Sequence, residues 1–290
     1  MKSLTPLCLI AALAVIASTA CRQQPESDAS SSPAATASVA SASTPVIPPP
    51  APANASTADL PGDHATTRHY KIAISLPTLP ANEEPLASAL RTTADRAKHD
   101  FLGALPDPEQ MPEFANRQFE MQLDFKVAAN TPAFTSVRET GMLDTGGAHP
   151  LPVEAAFVFD RMAGKLIALD DLFTDPGAAR TALANFAHDT LLKKLMANAP
   201  KPGEGSTAAI REWKTNTTQM LGDGTKPTRV NYSVFVVRAG TAPGAASPGL
   251  TLIFPPYQVA AYVYGTQAVD VPAGVFAKFL KPAYAGAFAP

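Results

Sequence analysis

The sequence predicts an α+β fold, with antiparallel sheets, packed helices and two closely associated subdomains, residues 67–150 and 151–290. Three observations carry this. Apolar and polar residues alternate from Gln118 to Val127, the pattern of a half-buried antiparallel strand. Leu86 to Phe101 and Leu183 to Leu195 repeat apolar residues at helical spacing. Runs of strand are separated by runs of helix, which argues an α+β arrangement, and no fixed period repeats along the chain.

Ahead of the fold, Lys2 gives a basic start, Leu7 to Ala17 an apolar run, and Ser18-Thr19-Ala20 small residues before Cys21. Residues 1–20 therefore read as an export signal. The apolar run of about 11 residues falls short of the roughly 20 that a spanning helix needs. Ser-Thr-Ala-Cys resembles the bacterial lipobox, although that pattern usually has Leu where this chain has Ser18. The resemblance implies acyl chains, palmitate among them, on Cys21, and Arg22 after the cysteine favours the outer membrane. The expected place is the bacterial envelope, lipid-anchored and facing the periplasm.

Residues 21–66 join this cysteine to a tether of Ala, Ser, Thr and Pro, with Pro48-Pro49-Pro50 and too few large apolar residues to fold. As a coil of about 45 residues it reaches roughly 35 to 40 Å. The two cysteines, Cys8 and Cys21, both precede the head, so the head carries no disulfide and relies on its core. A net charge of −2 does not attract nucleic acid. Nor should an anionic surface hold the head unless its basic residues cluster.

The head starts near Arg68 with a strand, Tyr70 to Leu76. A helix follows, with Asn82 as cap, Glu83 and Glu84 at its positive end, Pro85 in the first turn, and Leu86, Leu90, Ala94, Ala97 and Phe101 inward. The strand Gln118 to Val127 turns back at Asn130-Thr131-Pro132 into a second, Phe134 to Leu143. Val153 to Phe159 and Lys165 to Leu169 form a hairpin. Asp175 and Pro176 open a helix to about Asn198, and Ser206 to Leu221 forms another. Strands at Val230 to Arg238, Leu250 to Phe254 and Ala268 to Val271 precede a terminal helix, Ala273 to Leu280.

Three stretches carry a further signal. They are Asp144 to Pro150, with its Gly-Gly-Ala-His-Pro core; Leu169 to Phe173 before a helix; and Ile253 to Tyr262, with Phe-Pro-Pro-Tyr inside it. In this order, over about residues 68–282, they resemble the extracytoplasmic domain family shared by the anti-sigma factor RsiV and the deacetylase PdaC. The resemblance implies a ligand-binding module, of which the RsiV version binds lysozyme. The expected function is thus a periplasmic lipoprotein that binds and inhibits an envelope-attacking enzyme, either a lysozyme-like muramidase or a secreted toxin such as a lipase. The alternative is a peptidoglycan-binding or peptidoglycan-modifying protein.

Gly146, Gly147 and His149, and Tyr257, Tyr262 and Tyr264, are the candidate partner-binding residues. Two glycines and Pro150 set up His149 either to meet a partner or to turn the chain between subdomains. The tyrosines suit an interface, or they pin their loop to the sheet, Tyr257 being the first candidate for that role. Asp170 and Asp171 are adjacent, point apart and read as a capping turn. His64, His69, His99, His149 and His188 show no metal-ligand spacing, and no nucleophile, Walker or dinucleotide motif occurs. A binder is expected, not an enzyme, with no cofactor and no metal.

Overall fold

The order of elements follows from how the strands are connected. A computed structural model describes residues 57–58, 62–107, 109–114 and 116–289. The expected signal, Cys21 and most of the expected tether lie outside the described residues. The strands are β1 (Thr57–Ala58), β2 (Asp63–Thr66), β3 (Tyr70–Ser75) and β4 (Leu79–Pro80) ahead of α1 (Glu84–Gly103). Next come β5 (Phe119–Asn130), β6 (Phe134–Asp144), β7 (Leu151–Asp160) and β8 (Lys165–Ile167), then α2 (Pro176–Ala197) and α3 (Thr207–Gly224). The chain closes with β9 (Phe235–Val237), β10 (Gly249–Phe254) and β11 (Gln267–Pro272). The main sheet has the order β2-β3-β5-β6-β7-β8, a second sheet β11-β10-β9, and β1 pairs with β4.

All pairs are antiparallel except β3 with β5. There α1 carries the chain from one strand to the next, and a helical crossover permits a parallel pair where a hairpin does not. β2 lies upstream of Arg68, where the sequence suggests the head begins. Asp-His-Ala-Thr has no apolar alternation to announce it, and it is held as an edge strand by main-chain pairing with β3.

β6 and β7 run in register from Phe134↔Asp160 to Leu143↔Leu151, so residue 150 falls in a turn within one sheet. The two expected subdomains correspond instead to two cores on opposite faces of that sheet. Successive residues alternate between faces: Val137 and Phe159 enter the core under α1, whereas Phe134 and Val158 enter the core formed with α2 and the second sheet. Ser136 Oγ accepts a hydrogen bond from the Val237 N–H (3.1 Å), which stitches β9 to the main sheet. Both cores lie within the compact unit Pro49–Pro290.

Local readings hold where caps and periodicity agree. Asp175 Oδ1 accepts from the Ala178 N–H and Ser206 Oγ from the Ala209 N–H, fixing the starts of α2 and α3. They change where tertiary contacts intervene. Asn82 makes no capping bond; a 3-10 turn, Ala81–Glu83, precedes α1 and turns Glu83 inward to 1% exposure. A bulge between Val127 and Ala129 exposes Val127 and hands the inward position to Ala129. The expected strand from Val230 begins as a 3-10 turn, Val230–Tyr232, because Tyr232 is buried and donates its hydroxyl to the Thr225 carbonyl (2.8 Å).

The expected terminal helix is two 3-10 turns, Ala273–Val275 and Ala277–Phe279, with Gly274 a poor helix former inside the first. Another turn, Pro282–Ala287, then packs Tyr284 and Phe288 on Phe134 at 5.6 and 5.8 Å between ring centres. The Tyr284 hydroxyl donates to Asp160 Oδ2 (2.6 Å), while Asp160 Oδ1 accepts from the Met162 and Ala163 N–H groups. Burial, then the Asp160 hydrogen bond and charge, hold the Tyr284 phenol above its ordinary range. Tyr284→Phe is expected to lower stability by about 2 kcal/mol, since it strips a donor from a buried carboxylate. The shift in urea midpoint at constant slope measures it.

Candidate partner-binding surface

Two loops more than a hundred residues apart in sequence meet at one end of the main sheet. The first leaves β6 at Asp144. Asp144 accepts from the Gly146 N–H (3.0 Å) and pairs through both oxygens with Arg117 (2.8 and 3.0 Å). Burial pushes this carboxyl up, but the Gly146 N–H and the Arg117 guanidinium outweigh it and hold it below the ordinary range. Gly146 has φ +96°, and a Cβ there would lie 3.3 Å from the Phe119 ring. Gly146 therefore shapes the loop from beneath, whereas Gly147 is exposed.

His149 is oriented by both ring nitrogens. Its Nδ1 lies 3.1 Å from the Pro150 carbonyl, which can only accept, so Nδ1 donates there, and Nε2 lies 3.3 Å from the Tyr257 hydroxyl. The imidazole stacks on Tyr262 with 4.3 Å between ring centres and 24° between planes. Tyr257 and Tyr262 are 5.5 Å apart, and the Tyr262 hydroxyl donates to the Pro150 carbonyl (3.3 Å). Three of the six candidate residues thus form one aromatic plate.

The second loop is anchored on both sides of that plate. Val259 and Ala260 enter the core, and Gln258 Nε2 donates to the carbonyls of Gly224 (3.1 Å) and Asn231 (3.0 Å). Tyr257, between these anchors and the prolines, has φ +69°. It is the one non-glycine residue with a left-handed backbone among the described residues, and it remains 55% exposed. The Gly224 position is closed to any Cβ, which would come within 1.9 Å of the Gln258 carbonyl oxygen. Gly224→Ala is accordingly expected to cost about 1–3 kcal/mol and to displace the loop, read as a lower melting temperature and altered tyrosine near-ultraviolet circular dichroism.

Tyr264 takes a different part. It packs on the core, accepts from Trp213 Nε1 (3.2 Å), and its carbonyl takes the Gln267 amide (2.6 Å). It is scaffold, and Tyr257, the first candidate for that part, is the exposed ring. Leu151 and Val263, 54% and 83% exposed, flank the plate and were not among the candidate residues. Val263 stands between two tyrosines in the 3-10 turn Tyr262–Tyr264, one stacked on His149 and the other packed on the core. Beneath, Arg138 pairs with Glu154, whose Oε1 also accepts from Thr266 (2.7 Å), tying the second loop to the main sheet.

The plate presents stacking area and hydroxyls, and among the described residues no carboxylate touches His149. Asp171 Oδ2 accepts from the Ala168 N–H (2.8 Å) while Asp170 pairs with Arg180 and Arg229, so the two carboxylates do separate jobs. Cavities of about 390 and 300 Å³ lie elsewhere, beside Arg211 and beside Asp170. Among the described residues, no group of three His, Cys, Asp or Glu could hold a metal ion, and no helix is long and apolar enough to cross a membrane.

Comparison with known proteins places these features in a family context. The chain is 23% identical over 215 residues to peptidoglycan-N-acetylmuramic acid deacetylase PdaC of Bacillus subtilis (strain 168), a match covering 74% of this chain and 40% of that protein. The chain therefore spans about two fifths of the length of this curated relative. Two crystal structures share the fold. A DUF3298 family protein from Pseudomonas aeruginosa PAO1 is 15% identical with a TM-score of 0.50, covering 81% of this chain and 97% of that one. A member of the same family from Bacteroides fragilis NCTC 9343 is 14% identical with a TM-score of 0.50, covering 79% and 94%. Residues 170–274, from the Asp170 turn through the tyrosine loop and β11, match the family described as "Protein of unknown function (DUF3298)", so the chain carries a DUF3298 domain on an α+β fold.

Proposed function

We propose that this chain is a lipid-anchored recognition protein of the bacterial envelope, which binds and inhibits an enzyme attacking that envelope. The observation that carries the proposal is Tyr257, an exposed aromatic held at φ +69° beside the stacked His149 and Tyr262. Aromatic side chains fixed before binding lose little freedom on association, and such residues dominate interface energetics. An exposed ring outside the two cavities suits occlusion of a partner's cleft better than the holding of a small substrate, which favours concave sites. A muramidase or a secreted toxin such as a lipase fits that role, with Cys21 as the anchor.

The test is binding of lysozyme, and of culture fluids from competing bacteria, to the purified protein, together with protection of cell walls from lysis. Tyr257→Ala is expected to weaken capture at least thirtyfold, about 2 kcal/mol, with the melting temperature within a degree or two of the parent. Equal affinity for the same partner after Tyr257→Ala and His149→Ala would remove the plate from consideration. A second reading, a peptidoglycan-binding or peptidoglycan-modifying protein, is favoured by the likeness to PdaC. Saturable binding or turnover of muropeptides without any protein partner selects it.

A further inference from the structure

We propose that the hairpin tip formed by the end of α2, the loop 198–206 and the start of α3 docks on an anionic phospholipid surface. Lys193, Lys194, Lys201, Arg211 and Lys214 all lie here, against the carboxylates of Glu204 and Glu212, in a chain whose net charge is −2. The five cations are exposed, and none forms an ion pair among the described residues. Cations elsewhere are mostly paired, as in Lys71–Glu120, Arg117–Asp144, Arg138–Glu154 and Arg161–Glu83. Glu204 accepts from the Lys201 N–H (2.8 Å), so part of its capacity is spent on the loop itself.

Local structure accounts for only some of this charge. Lys194 lies in the last turn of α2, where a cation complements the helix dipole. Arg211 and Lys214 have no such support. They lie beyond the first turn of α3, out of reach of the helix dipole, and at i, i+3 they repel each other. Between them and Pro202, Gly203, Gly205 and Thr207 lies an open cavity of about 390 Å³, room for a phosphate-bearing headgroup. Half-buried Ile210 and Trp213 alternate with these cations on α3.

The kind of anion follows from the shape and type of the cations. Four of the five are lysines, compact charges on flexible stems, rather than the planar guanidinium forks that select defined carboxylates. All five lie within about two helical turns, roughly 10 Å, of the hairpin tip and are drawn from both helices and the loop. Cations spread over two helix ends and the loop between them meet a plane of phosphates more completely than they meet one acidic pocket. Such contacts strengthen by about fivefold for each Lys or Arg near an anionic surface.

The inference shares with the proposed function only the envelope location and needs no enzyme partner. The test is co-sedimentation of the compact 49–290 unit, without any acyl anchor, with vesicles of phosphatidylcholine alone or mixed with phosphatidylglycerol. Binding is expected only to the mixed vesicles, lost in high salt. The triple change Lys201→Ala, Arg211→Ala, Lys214→Ala should weaken it by about a hundredfold with an unchanged melting temperature. Lys165→Ala with Lys281→Ala, cations outside the hairpin, and Tyr257→Ala should leave it intact. Equal binding to both vesicle types, equal loss on changing the distant lysines, or no loss in the triple variant would overturn the proposal whatever the fate of enzyme capture.

Discussion

Arg161→Ala is expected to lower the unfolding free energy by about 3–5 kcal/mol, the range for removing one partner of a buried ion pair. Arg161 Nε donates to Glu83 Oε1 (2.8 Å), which also accepts from the Thr135 hydroxyl (2.8 Å), and Arg161 Nη1 donates to the Thr131 carbonyl (2.7 Å). Glu83 is 1% exposed, and its second oxygen has no hydrogen-bond partner among the described residues. Loss of the guanidinium thus leaves a carboxylate out of water with one hydroxyl for company. The reverse change, Glu83→Gln, keeps the side-chain volume and leaves an arginine that is 25% exposed and in reach of solvent, so it should cost less. Changing both residues to Ala should cost clearly less than the sum of the two single changes to Ala, because the coupling is then removed once. Chemical unfolding of the three alanine variants decides this, and strict additivity would show that the pair does not act as a unit.

That pair also marks where sequence reading stops. Glu83 beside Glu84 at a helix start is the ordinary pattern of acidic residues at a positive helix end, and nothing local shows that Arg161, 78 residues on, will draw it inward. The elements read correctly are those whose cause is local. The alternation of β5 follows from one face being buried, and the caps at Asp175 and Ser206 need partners only three residues away. The parallel pairing of β3 with β5 depends on where α1 returns the chain, and the bulge at Val127 depends on its register with β6. Neither is written in periodicity.

The candidate surface divides the same way. Glycine, proline and tyrosine content marked both loops, and the fold brings His149, Tyr257 and Tyr262 together. Which tyrosine would be exposed was not legible, because it is settled by contacts far along the chain. Trp213, 51 residues before Tyr264, holds that ring against the core, while the Gln258 contacts to Gly224 and Asn231 lift Tyr257 out. Tight packing around Gly224 acts through space, so composition gives no sign of it.

Glu139→Gln is expected to change the pH dependence of stability by about 3 kcal/mol between pH 4 and pH 8. Glu139 lies on β6 between Phe125 and Ala155, on the face that carries Val137 into the α1 core, and is 2% exposed. It has no hydrogen-bond or ion-pair partner among the described residues. Burial pushes its carboxyl from the ordinary value near 4.5 up to about 7. The folded state therefore holds this proton more tightly than the unfolded chain does. Below about pH 4.5 both states are protonated and the site costs no ionisation energy. As pH rises from there to about 7 the unfolded chain releases the proton first, stability falls, and above that window the loss is constant. Glutamine, neutral throughout, removes this slope while keeping the side-chain shape. Unfolding free energies of the parent and Glu139→Gln should diverge steadily across that interval, with the parent losing ground as pH rises. Parallel profiles would mean that the carboxyl is already ionised in the fold near its ordinary value, or that water reaches it.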